Sequence, residues 1–327
     1  MNKKIRYAVM VAAGALLVSS LGSGVANADP SGSPTYRTLA GVGSDTSQDV
    51  MNGMSDVVKD ASGTKLIASY NATGSATITT KDPATNTKCT INRPDGSGAG
   101  RTALDTQIGL GNNCLQFARS SSGPSGVTTT NQLTYIPFAT DLVAPAITAG
   151  STVPRQLTKQ DLIDIYNCVY YPDIKPLLPQ SGSGTRSFWI SYLGLPSTLP
   201  SCIADTKNGS TIQENDGRVL DDNSIIPFSV GKYLSETSGQ IADVHGSAIL
   251  ANVDGTRALS ASADFAVSRP LYNVVPRNKV DSAVGTPDST YTSVFVGSGS
   301  QICSHPEVLN EYGLAANASC GSIAAHT

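Results

Sequence analysis

The chain has 327 residues, with 22 Lys+Arg against 25 Asp+Glu and a formal net charge of −3. Charged residues make up only 14% of it, and no Lys/Arg cluster stands out. That excludes a bulk electrostatic partner such as nucleic acid. The length suits one large domain or two ordinary ones.

Residues 1–28 read as a secretory signal peptide. Lys3, Lys4 and Arg6 form a basic start, Tyr7 to Leu21 an apolar run, and Ala26-Asn27-Ala28 a small-residue cleavage site. Gly14, Ser19, Ser20 and Gly22 interrupt the run, which argues against a membrane anchor. The first cysteine is Cys89, so a lipidated N-terminal cysteine is not expected. Cleavage would leave an exported, soluble chain with a net charge of about −6. Any anion it binds must then be held by local dipoles and one or two arginines.

Further along, Gly41-Val42-Gly43-Ser44-Asp45-Thr46 forms a Gly-rich turn. It feeds a helical pattern through Val50, Met51, Met54 and Val57, with Ser44, Asp45 or Thr46 as candidate N-cap. A strand at 66–70 runs into a polar loop containing Gly74 and Ser75. The segment between Cys89 and Cys114 is rich in Gly, Asn and Asp and reads as a stapled excursion. A strand at 115–118 leads to Arg119-Ser120-Ser121-Ser122-Gly123. A strand follows at 133–138 and another apolar stretch at 141–147, and a Thr158-capped helix runs to Tyr166. A helix is expected through Ile226, Phe228, Val230 and Tyr233, and strands at 271–275 and 293–296. Strands alternating with capped helices indicate an α/β fold.

All six cysteines (Cys89, Cys114, Cys168, Cys202, Cys303 and Cys320) lie beyond the signal peptide. An even count in an exported chain reads as disulfides. Pairing of sequence neighbours is the simplest arrangement among the 15 that six cysteines allow. Each such loop would contribute about 3 kcal/mol in the chain-entropy model. No pair has metal-site spacing, and His245, His305 and His326 are scattered, so neither metal nor cofactor is expected.

The stretch with most chemistry is Ser181-Gly182-Ser183-Gly184-Thr185-Arg186, which opens an apolar helix through Trp189. A helix start leaves unpaired N–H groups, small residues let a ligand approach them, and Ser183 and Thr185 add hydroxyls. Arg186 could add a charged fork. The same composition also suits a plain capped turn.

These segments, taken in order with Asn215-Asp216-Gly217 and Arg269-Pro270-Leu271-Tyr272, resemble the phosphate-binding (PstS-like) branch of type II extracellular solute-binding proteins. The resemblance runs from about residue 39 to 300. It implies a two-lobed α/β fold of the type II periplasmic-binding-protein kind, with the ligand cleft between lobes joined by crossing strands. The expected division is 29–141 plus about 236–327 for one lobe and about 142–235 for the other. Matching by motif puts Ser183, Gly184, Thr185 and Ser75 on ligand contacts, with Ser44, Asp45 and Thr46 in the first loop and Arg119, Ser120 and Ser121 in the strand-end loop.

Two departures stand out. Pro179 replaces the family's arginine, leaving Arg119 or Arg186 as substitutes, each of which could equally be a structural ion pair. Ser121 replaces an aspartate that accepts the ligand proton, leaving Asp45, which could equally cap a helix, or Asp216, which reads first as a helix-start carboxylate. The implied function is capture of inorganic phosphate or a similar oxyanion by a monomeric protein serving an ABC permease. Two other classes are weighed against it. One is a secreted scavenging or interaction protein that keeps the fold without the transporter. The other is a hydrolase using Ser183, which lacks a GxSxG elbow and an evident histidine.

Overall fold

The computed structural model describes residues 29–124, 132–259 and 267–327, so the expected signal peptide lies outside the described residues. Among them no helix is long and apolar enough to cross a membrane.

Three short strands start the main sheet in parallel. Leu39–Gly43 sits between Ile67–Ser69 and Phe117–Ser120. All three are buried along their whole length, as parallel strands covered on both faces must be. Gln48–Val57 and Ser97–Leu110 are the crossover helices such strands require. Ser268–Pro276 then runs antiparallel between Phe117–Ser120 and the strand Leu133–Thr148.

That last strand has 16 residues and spans roughly 50 Å at the usual rise per residue. Its first part pairs with Ser268–Pro276, and its last part with Ser224–Ser229 and Ala248–Leu250. The strand expected at 133–138 and the apolar stretch at 141–147 are therefore one strand. Asp141, which looks like a break, is a buried member of the ladder opposite Arg269.

Apolar side chains gather on both sides of this crossing. Leu39, Met51, Met54, Phe117, Phe138 and Phe295 belong to one core, and Val143, Leu157, Ile165, Trp189, Ile225 and Val267 to another. Ala251, Val253 and Ala258 join the second core. Residues beyond 236, assigned from sequence to the first lobe, thus pack in part with 143–230.

Three segments differ from their sequence expectation. The excursion between Cys89 and Cys114 holds a 14-residue helix, Ser97–Leu110. Its low-propensity Gly98 and Gly100 lie against the backbones of Gly182 and Gly43, where a Cβ would crowd. The helix expected through Ile226 is instead the strand Ser224–Ser229 followed by the helix Val230–Thr237. Ser229 makes the switch, its Oγ accepting from Lys232 N at 3.1 Å. The strand expected at 293–296 is the end of helix Ser289–Phe295, nucleated by Asp288, whose carboxylate accepts from Thr290 N and Tyr291 N. A four-residue apolar run fits either structure, so the cap decides. The Thr158 helix has the expected start, a capping box with Asp161.

The cysteines pair as Cys89–Cys114, Cys168–Cys202 and Cys303–Cys320. Peptide mapping of unreduced protein should recover these three cross-linked pairs and no others. Free thiols or a shuffled pairing would contradict this fold.

Candidate functional site

Four helix starts meet where the two long paired strands pass from one apolar core to the other. Ser44 and Thr46 precede the helix Gln48–Val57, and Ser97 opens Ser97–Leu110. Ser183 and Thr185 begin Gly184–Leu193, and Ser229 precedes Val230–Thr237. Each start carries partial positive charge and spare N–H groups. Their side chains interlock. Ser44 Oγ donates to Ser121 Oγ at 3.1 Å, and Ser97 Oγ accepts from Ser121 N at 3.0 Å. Thr46 Oγ1 and Thr185 Oγ1 are 3.4 Å apart.

Arg269 lies among them, 1% exposed. Its Nη1 donates to Thr185 Oγ1 (3.0 Å) and Ser121 O (3.4 Å), and its Nη2 to Thr46 Oγ1 (3.3 Å). The Phe188 ring lies 5.5 Å from its guanidinium carbon. Its charge is met by Asp141, whose Oδ2 accepts from Nε (3.0 Å) and Nη2 (2.9 Å). Asp141 Oδ1 in turn accepts from Ser229 Oγ at 2.8 Å and Gly231 N at 3.3 Å. The guanidinium is thereby fixed and aimed at three oxygens around one point.

A second carboxylate sits on the Gly184–Leu193 helix start. Glu214 Oε1 accepts from Ser183 Oγ at 2.7 Å and Thr185 N at 2.8 Å, while Oε2 accepts from Asp45 N at 3.3 Å. Ser183 Oγ also caps this helix, accepting from Arg186 N at 3.0 Å. Gly184 must be glycine, since a Cβ there would collide with Ser97 Oγ and Ser121 Oγ.

Charge is dense here. Lys232 Nζ contacts Asp49 at 2.7 Å and Asp45 at 3.7 Å. Burial opposes its charge, but the two carboxylates prevail and hold its pKa above the ordinary lysine value. Burial pushes Asp45 up to about 6, despite the attraction of Lys232 and with further repulsion from Glu214 and Asp49. Asn215 ties Asp45 to Thr46, its Nδ2 donating to both.

Of the sequence candidates, Ser44, Asp45, Thr46, Ser121, Ser183, Gly184 and Thr185 come together. None of Ser44, Asp45 and Thr46 caps the first helix; that position is Ser47, which makes no side-chain cap bond. Arg119 lies beneath the cluster rather than in it. Its donors go to the carbonyls of Gly41, Gly43 and Ser44 and to Ser69 Oγ, and burial lowers its pKa to about 10. Ser120 Oγ is spent on Ser122 O. Arg186 turns away to Pro179 O and Asp205, and Asp216 pairs with Arg218 at 2.7 Å. Ser75 is exposed, bonded to Arg93 and Thr77 O.

Glu214, Arg269, Asp141, Ser97 and Ser229 are central here, yet sequence reasoning did not put them in the site. For two of them a signal existed. Asp141 and Arg269 are single charges inside apolar strands, and a buried charge demands a partner. The chain has 25 acidic residues, and nothing local set Glu214 apart from the rest.

No protein-family model matches the chain, and no curated protein matches it in sequence. Solved structures do share its fold. A phosphate ABC transporter substrate-binding protein from Clostridium perfringens, solved with phosphate bound, superposes with a TM-score of 0.54 at 17% identity. The alignment covers 85% of this chain and 99% of that one. An ABC-type phosphate transport receptor from Vibrio cholerae gives 0.53 at 15% identity, with coverage of 85% and 99%. The fold is thus that of type II solute-binding proteins.

Asp45 sets a pH dependence. The folded protein keeps its proton between about 3.8, its ordinary value, and about 6, where the unfolded chain has lost it. Its contribution to stability therefore falls as pH rises through that window, by on the order of 2–3 kcal/mol. Urea unfolding at pH 4 to 8 should show the parent losing stability relative to Asp45→Asn over this range. Parallel profiles would show that Asp45 is ionised throughout.

Proposed function

We propose that this protein is an extracellular solute-binding protein that captures a small oxyanion, phosphate, for an ABC-type importer. The observation that carries the reading is the convergence of four helix starts and their hydroxyls on a buried, fixed arginine. Such a site offers charged and neutral donors preorganised around one point, the requirement for a dehydrated oxyanion. The shared fold with two structures described as phosphate receptors supports it. Three disulfides suit export to an oxidising compartment, in line with the expected signal peptide.

In this reading the lobes are about 29–141 with 268–327, and about 142–267. The boundary beyond 236 moves because Ala251, Val253, Ala258 and Val267 pack with the second core. Arg269 takes the role that sequence gave to Arg119 or Arg186, since its guanidinium reaches the Thr46 and Thr185 hydroxyls, whereas theirs go to loop carbonyls and Asp205. Closure of the lobes on the anion would present one surface for a membrane partner to recognise. The hydrolase alternative loses ground. Ser183 is hydrogen-bonded to a carboxylate, while His245 is held by Asp243 at 2.7 Å and stacked edge-on against Tyr233.

Calorimetric titration of anion-stripped protein with phosphate, sulfate and arsenate tests the proposal. Saturable phosphate binding at one site is expected. Thr185→Val should weaken it by about 1.5–3 kcal/mol, the range for a hydrogen bond to a charged group. That corresponds to roughly 10- to 150-fold in Kd. It should also lower ligand-free stability, since Arg269 Nη1 loses an acceptor. Absence of binding by the parent and by every variant would favour a secreted interaction protein that kept the fold without the ligand.

A further inference from the structure

The Glu214 carboxylate already makes the bonds an oxyanion would make. Ser183 Oγ and Thr185 N donate to one of its oxygens, and Asp45 N, from the first-loop side, donates to the other. A hydroxyl and a backbone amide each have one hydrogen to give. Two acceptors cannot share those donors at full strength. Glu214 is only 4% exposed, so its carboxylate is held in the seat and does not merely hover at a rim. The three bonds it makes come from neutral donors, which hold it without cancelling its charge.

From this we infer that Glu214 is an internal competitor for the anion seat: a ligand must displace its carboxylate, and this sets both affinity and selectivity. The inference rests on the oxyanion reading above and names the residue that limits it.

The charge balance points the same way. Lys232 and Arg269, with Arg119 beneath them, lie among Asp45, Asp49, Asp141 and Glu214, three cations against four carboxylates. Asp95, held by Gln180 at 2.9 Å, lies close enough to Glu214 to be raised by its charge, after burial. Adding an anion with Glu214 still in place would deepen an existing negative excess. Moving Glu214 out restores the donors and removes one charge together. A seat occupied most of the time by its own carboxylate shows the outside ligand only the vacant fraction, and apparent affinity falls by that fraction.

The test compares the parent with Glu214→Ala and the more conservative Glu214→Gln, using sodium sulfate and inorganic phosphate as probes. Sulfate keeps one charge state from pH 4.5 to 8, so any change in its binding belongs to the protein. Glu214→Ala should bind both anions about tenfold tighter or more at pH 7.5. Glu214→Gln, which keeps an acceptor but loses the charge, should fall between. Binding by a variant where the parent shows none would support the inference equally.

Weaker or unchanged binding in both variants, with the parent binding normally, would overturn it and make Glu214 a scaffold for the site. If no protein binds either anion at any pH, the oxyanion reading fails, and this inference fails with it.

Discussion

The buried pair of Arg269 and Asp141 is the constraint on which the rest of the structure depends. The two residues face each other on neighbouring antiparallel strands, where the sheet passes from one apolar core to the other. Neither could be buried alone, because an isolated ionised group in a protein interior is costly. Removing one partner of such a pair typically costs about 3–5 kcal/mol. The remaining hydrogen-bonding capacity of both is then used outward. Asp141 takes Ser229 Oγ and the Gly231 amide, and Arg269 takes Thr46, Ser121 and Thr185. The pair thus fixes where three helix starts and the strand-end loop must meet.

Once those groups are assembled, the balance of charge decides what the place can do. Helix starts and a guanidinium favour an anion, whereas Asp45, Asp49 and Glu214 oppose one. Lys232 absorbs part of that opposition by pairing with Asp49 and approaching Asp45. Both tendencies lie within a few ångströms. In the proposed reading such a site is selective by subtraction, with donors to hold an oxyanion and a carboxylate of its own to keep casual ones out. Discrimination by an unfavourable element, and not by more favourable contacts, is a general route to specificity.

How much of this was legible in the sequence follows from how local each signal is. Ser183, Gly184 and Thr185 were readable because a Gly/Ser turn before an apolar helix is a local pattern. The Thr158 capping box was readable for the same reason. Neighbouring cysteines pair because each bridge closes a short loop. Arg269 and Asp141 are 128 residues apart, and no local pattern links them. Glu214 reaches Asp45 across 169 residues and is likewise invisible until the lobes are brought together. Arg119 and Arg186 were natural guesses for the anion's cation, since each sits beside a candidate loop. Tertiary structure gave their donors to carbonyls of the first loop and to Asp205. The helix Ser97–Leu110 escaped because its glycines serve close packing against Gly43 and Gly182 and not helix propensity.

The central claim is that an oxyanion sits beside the Arg269–Asp141 pair, where the two long strands pass from one core to the other. Arsenate offers the most direct view of it, because arsenic can be located by anomalous diffraction without assumptions about the surroundings. A crystal of this protein grown with arsenate should show one arsenic peak bounded by Thr46, Ser121, Thr185 and the Arg269 guanidinium, with the Glu214 carboxylate moved off Ser183 and Thr185. An undisturbed Glu214 with no arsenic at that point, in protein shown to bind arsenate, would contradict the account.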